Sequence, residues 1–219
     1  MTVSVGEYRK WVSKYLKEPE KRRLANDALD AFERLEKTQN ISAEEIRPIV
    51  AAAKCRFRQV WDIAADLLTL LSNKHSSAQD AMREMLQSKK VGERFQVIAA
   101  LNSRVPKSLA LELIRKALKD TGNRVREKAA ERADDLKFLQ LLPELEQALS
   151  VEKHPNAKSA LEFNISMLRD GYLVEDHKKY ITVTVRMRRG TSSQIISQED
   201  IDRGRVPSII ADMRAPDWS

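Results

Sequence analysis

Four stretches of this 219-residue chain open alike and then place apolar side chains at matching offsets. Phe57-Arg58, Glu93-Arg94, Val125-Arg126 and Ala157-Lys158 head equivalent segments, at steps of 36, 32 and 32 residues. Four positions on stand Trp61, Val97, Ala129 and Leu161. Eight on stand Ala65, Leu101, Ala133 and Ile165, and eleven on Leu68, Arg104, Leu136 and Leu168. Among these downstream positions only Arg104 breaks the apolar columns. Glu93 departs at their head and leaves that repeat's register open by a residue or two. A single helical hairpin cannot bury its apolar face alone, so a period of this length calls for hairpins stacked on one another. The columns are read as core.

The segments between these heads carry helix signals of their own. Val5, Tyr8, Val12 and Leu16 recur at helical spacing over residues 4–17. Leu24, Ala28, Phe32 and Leu35 form a second stripe ending near Lys37, so residues 1–40 read as an opening hairpin that caps the stack. Ser42 with Glu45 makes a capping box before a helix containing Pro48, and Ser76 with Gln79 suggests another. Pro106 opens a helix through Leu118. The turn Asp120-Thr121-Gly122-Asn123 offers Gly122 for a left-handed position at a helix end. Leu139 to Leu149 reads as a helix with Pro143 inside it. His154-Pro155-Asn156 caps a last one, from Ala157 to Arg169, which Gly171 ends.

Composition agrees with this reading. Six glycines and seven prolines are too few for the many tight turns of a β-sandwich, and 32% charged residues suit long solvated helix faces. The formal net charge of +7 favours an anionic partner, such as nucleic acid, an acidic protein face or a membrane surface. With Cys55 alone, no disulfide can form within the chain, and its helical context reads as a small packed residue rather than a nucleophile. Residues 1–10 have no signal-peptide core, and no apolar run approaches the roughly 20 residues that span a bilayer. The expectation is a cytoplasmic protein with no membrane partner.

The run Leu118-Lys119-Asp120-Thr121-Gly122-Asn123-Arg124-Val125-Arg126-Glu127-Lys128-Ala129-Ala130 resembles the HEAT-repeat signature: an aspartate in the turn, then Val-Arg, then alanines. Prolines in first helices, such as Pro48 and Pro143, are similar to that family too. The resemblance covers roughly residues 42–170, closely around Asp120 and elsewhere in pattern rather than letter. It implies a right-handed α-α superhelical solenoid over residues 41–172, and a protein that supplies binding surfaces. It also implies that an arginine of the column Arg58, Arg94, Arg126 and Lys158 pairs with a neighbouring turn aspartate, as Asp120 and Arg126 could. The alternative for that column is a basic stripe that meets phosphates.

From Tyr180 the period changes from 3.6 to 2. Ile181, Val183, Val185 and Met187 alternate with Thr182, Thr184, Arg186 and Arg188, which is a strand pattern. A turn at Arg189-Gly190-Thr191-Ser192 and a partner strand over 194–197 complete a β-hairpin within a C-terminal extension, residues 173–219. The Thr182–Arg188 face is expected to look outward, with Arg186, Arg188 and Arg189 in its basic group. Ser197 and Pro207 mark two short closing helices.

Chemistry-bearing motifs are missing. His75, His154 and His177 are scattered, and neither HxxxH nor CxxC spacing occurs, so no metal and no cofactor are expected. The sequence therefore points to a non-catalytic scaffold for a protein partner, with the hairpin at or near the interface. The alternative is a nucleic-acid-binding protein. Bacterial alkylpurine DNA glycosylases are built of HEAT-like repeats with a basic concave face, and they need a carboxylate near aromatic surface to stabilise a cationic lesion. Trp61-Asp62 is the one pair offered for that role, although neighbouring helix positions diverge.

Overall fold

The computed structural model describes residues 4–178, 180–187 and 190–214. Twelve helices and three strands occupy them. They are α1 (Val5–Tyr15), α2 (Pro19–Leu35), α3 (Ala43–Ala53), α4 (Arg58–Ser72), α5 (Ser76–Leu86), α6 (Val91–Ala100), α7 (Lys107–Ala117), α8 (Asn123–Asp135), α9 (Leu142–Val151) and α10 (Pro155–Arg169). Then follow β1 (Tyr172–Asp176), β2 (Ile181–Met187), β3 (Gly190–Ile196), α11 (Gln198–Asp202) and α12 (Val206–Arg214). The protein is mainly helical with a small antiparallel sheet.

Helices α2 to α8 pack each against the next and against the next but one, which sets them in two rows. One row runs α4, α6, α8 and α10, and the other α3, α5 and α7. Fully buried Leu29, Ile49, Leu67, Met82, Ile98, Leu113, Val125 and Leu161 run between the rows as one continuous core. The helix starts are fixed locally. Ser4 with Glu7 and Ser42 with Glu45 form reciprocal capping boxes, which satisfy amides that have no partner within the helix.

Several local expectations are corrected. His75, not Ser76, caps α5, and Gln79 instead donates to the Ser72 carbonyl at 2.8 Å. Pro143 lies in the first turn of α9 behind a 3-10 turn at Leu139–Leu141, where its missing N–H costs nothing. Gly122 is not left-handed. It caps α8 at φ −85, and its constraint is space, because a Cβ there would stand 2.8 Å from Val91 Cγ1. Gly171 does end α10 in the left-handed region, at φ +76.

Successive helices of the row α6, α8 and α10 are tied at the intervening turns by ion pairs. Arg94 of α6 grips Asp120 through Nε and Nη2 at 2.7 and 2.8 Å, and its Nη1 donates to the Ser88 carbonyl at 2.8 Å. Arg126 of α8 holds Glu152 with Nε at 2.5 Å and Nη2 at 2.7 Å, and donates to the Asp120 carbonyl at 2.6 Å. The Asp120 carboxylate thus serves the arginine of α6, while Arg126 of α8 takes only its backbone. All four side chains are largely covered. Burial alone pushes the Asp120 carboxyl up, but Arg94 and the Gly122 amide outweigh it and leave it below the usual range. Arg126 draws the Glu152 carboxyl down to about 2.

The C-terminal segment holds three strands, not two. Strand β1, unmarked by any alternation, joins the hairpin to give the order β1-β2-β3, with Val174 opposite Val183 and Val183 opposite Gln194. Nor does the polar face of β2 look outward. Thr184 is buried, and Arg186 pairs with buried Asp134 at the end of α8. Val183, Val185 and Ile196 turn the other way, to a separate small core with Ile201, Ile209 and Met213. The sheet packs its first strand on α10 and covers the end of the helical rows.

Removing one partner of a covered ion pair strands the other, at roughly 3 kcal/mol. Asp120→Ala is expected to destabilise by about that amount in urea unfolding, and Arg186→Ala by about 2 kcal/mol through the charged hydrogen bond to Asp134. Amide exchange in the Arg186 variant should rise in β1 and β2 and stay unchanged in α4. The Glu152 value is depressed on folding, so its contribution is complete above the ordinary value of 4.5 and fades as pH falls toward 2. Glu152→Gln should flatten that stretch of the stability-against-pH curve.

Candidate functional site

Helices α4, α6 and α8 present one exposed face each to a shared cleft of about 680 Å³. From α4 come Arg58, Trp61, Asp62 and Ala65, at the spacing of a single helix face. From α6 come Gly92, Phe95, Gln96 and Ala99, at the same spacing. Arg124, Lys128 and Arg132 recur every fourth residue of α8. The equivalence of α4 with α6 is therefore a step of 34, from Arg58 to Gly92 and from Trp61 to Phe95. Alignment at 36 is two residues off, about 200° around a helix, and that is why Trp61 lines the cleft, half-buried, instead of joining the core.

Charge and aromatic surface meet there. The Arg124 guanidinium lies 4.9 Å from the Phe95 ring centre and Lys128 Nζ lies 5.8 Å from it. Arg58 is 86% exposed and stands 3.8 Å from Asp62. Burial pushes the Asp62 carboxyl up, against the pull of Arg58. At one end Asp66 accepts from the Tyr8 hydroxyl at 2.6 Å and pairs with Arg104. Burial, then Asp66, pushes the Tyr8 phenol up. Arg132 donates to the Ala99 carbonyl at 2.9 Å and pairs with Asp135. Its Nε, with no partner among the described residues, is buried. Gln96 donates an amide N–H to the Cys55 carbonyl at 2.9 Å, and its buried Oε1 has no partner among the described residues.

Of the binding residues proposed from sequence, the structure brings only Arg58 to this cleft. Arg94 and Arg126 are engaged in the turn pairs, and Arg186 is engaged with Asp134. Lys158 is exposed in the first turn of α10, away from the cleft. Arg188 and Arg189 lie outside the described residues. Sequence reasoning missed Phe95, Gln96, Arg124, Lys128 and Arg132. Three of these carry a readable signal, since Arg124, Lys128 and Arg132 make an i, i+4, i+8 basic row. Trp61 and Asp62, expected to diverge, both line the cleft because positions three and four on from Arg58 fall on one helix face.

Among the described residues no group of three or more His, Cys, Asp or Glu is placed to hold a metal ion, and no helix is long and apolar enough to cross a membrane. Comparison adds no relative: no family model, no curated protein and no solved structure matches the chain.

Cys55 borders this region, its Sγ 3.6 Å from the Phe57 carbonyl. Burial pushes its thiol up, so little thiolate forms near neutrality. Alkylation by iodoacetamide at pH 7.5 is expected to run about tenfold slower in the folded chain than in urea. Equal rates would show the thiol to be freely exposed.

Proposed function

We propose that the chain is a non-catalytic scaffold, a short solenoid of HEAT-like hairpins, that binds a protein partner across the exposed faces of α4, α6 and α8. The two-row packing of α3 to α8 supports the solenoid reading. The observation that carries the binding reading is the lining of the cleft. Aromatic and small apolar surface from Trp61, Phe95 and Ala99 stands among both signs of charge, Asp62 and Asp66 with Arg58, Arg124 and Lys128. Aromatic side chains and arginine are the types enriched at protein interfaces. The C-terminal sheet, packed on α10, stands at the end of this face.

Capture from native lysate by the full chain, beside an Arg124→Glu/Lys128→Glu variant, tests the reading. Both side chains reach solvent and their aromatic contacts are worth about 1 kcal/mol at most, so the variant should stay folded. A partner protein held by the native chain should be lost from the variant. Retention of every partner by the folded variant overturns the cleft as the interface.

One observation favours a second reading, a nucleic-acid-binding protein of the alkylpurine glycosylase kind: Asp62 shares the cleft with Trp61 and Phe95, beneath the cations of α8. Stacked rings beside cations suit bases and phosphates. Binding of single-stranded and duplex DNA should then be measurable at low salt and fall steeply as salt rises. Absence of affinity at low salt would dispose of it.

A further inference from the structure

The cleft is not the only groove along the row α4, α6, α8 and α10. A second groove, of about 850 Å³, runs between α8, α10 and β1. Its polar wall is acidic: Glu127 and Glu131 from α8, Glu162 from α10 and Glu175 from β1, with Phe163 and Val174 as apolar surface. Neither lysine nor arginine is among its described lining residues. In a chain of net charge +7 this is a marked segregation.

Helix α8 is the divide. Arg124, Lys128 and Arg132 face the first cleft, while Glu127 and Glu131, also four apart, face the second. Rows at that spacing lie side by side on a helix. Glu131 pairs with Lys128 and stands 3.9 Å from Arg132, which closes the boundary. Among the described residues Glu162 and Glu175 make no ion pair, so their charge is available to a ligand.

We propose that the two grooves together bind one charge-segregated polypeptide. An acidic stretch lies along the Arg124, Lys128 and Arg132 side of the α4–α6–α8 cleft, opposite Asp62 and Asp66, and a basic stretch, with an apolar side chain against Phe163 and Val174, lies in the α8–α10–β1 groove. This rests on the protein-binding reading and adds the partner's polarity to it. A nucleic-acid strand keeps one sign along its length. Beyond α8 it would meet Glu162 and Glu175, whose charge no ion pair offsets among the described residues. A polypeptide can change sign at that point.

The test is fluorescence anisotropy with labelled synthetic probes about 20 residues long, enough to reach roughly 65 Å when extended. One peptide carries a glutamate-rich half followed by a lysine-rich half with leucines, and a second has the halves in reverse order. A third alternates the same residues, and a fourth probe is single-stranded DNA. Native chain, Glu162→Lys/Glu175→Lys and Arg124→Glu/Lys128→Glu are compared, each checked for folding by circular dichroism. The native chain should bind one block order about tenfold more tightly than the alternating peptide. Glu162→Lys/Glu175→Lys should weaken that peptide about tenfold and tighten DNA binding. Equal affinity for block and alternating peptides, absence of peptide binding, or tighter binding of DNA than of either block peptide by the native chain overturns the proposal. Loss of peptide binding in the cleft variant alone overturns the polarity and leaves the protein-binding reading standing. Insensitivity to both pairs of substitutions, with lysate partners also retained, removes both.

Discussion

The molecule depends on how its turns are locked to one another. Packing between the helix rows is apolar and without direction of its own. The pairs Arg94–Asp120 and Arg126–Glu152 are directional, two-pronged and shielded from water. Pairs of this kind contribute little net stability against an apolar replacement, but they penalise any register in which one charge loses its partner. Since Arg126 also takes the Asp120 carbonyl, one turn carries both links, and α6, α8 and α10 are set in order from that point.

Much of the helical middle was legible because it rests on local rules. Apolar spacing marked α2, α4, α7 and α10, and Ser42 with Glu45 announced a helix start that the structure builds as a capping box. The cleft face was less legible for a geometric reason. Core columns tolerate a shift in alignment, since Ala65 and Val97 read alike in either register, but the face opposite the core does not. Two residues of misalignment sent attention to Arg94 and Arg126, which the fold uses for itself, and away from Phe95 and Lys128, which it exposes.

The C-terminal segment was half legible. Alternation in β2 is strong, but β1 is five residues long, its inward and outward positions are not contrasted, and it is recruited by pairing with β2 rather than by its own pattern. Burial of Thr184 and Arg186 could not be read either, because their partners Ser193 and Asp134 come from another strand and from a helix 52 residues away. The segment gains a core of its own through α11 and α12, and its anchor to the rows is a side-chain pair.

Gly122 gives the stack a gauge. A methyl group there would press on Val91, so the starts of α6 and α8 approach as closely as they do only because that position has no side chain. These two helix starts also flank the mouth of the cleft, where Arg124 reaches over Phe95. A larger residue there must displace the Val91 side chain or part the two helix starts. The width of the cleft is thus set in part at a residue that does not line it.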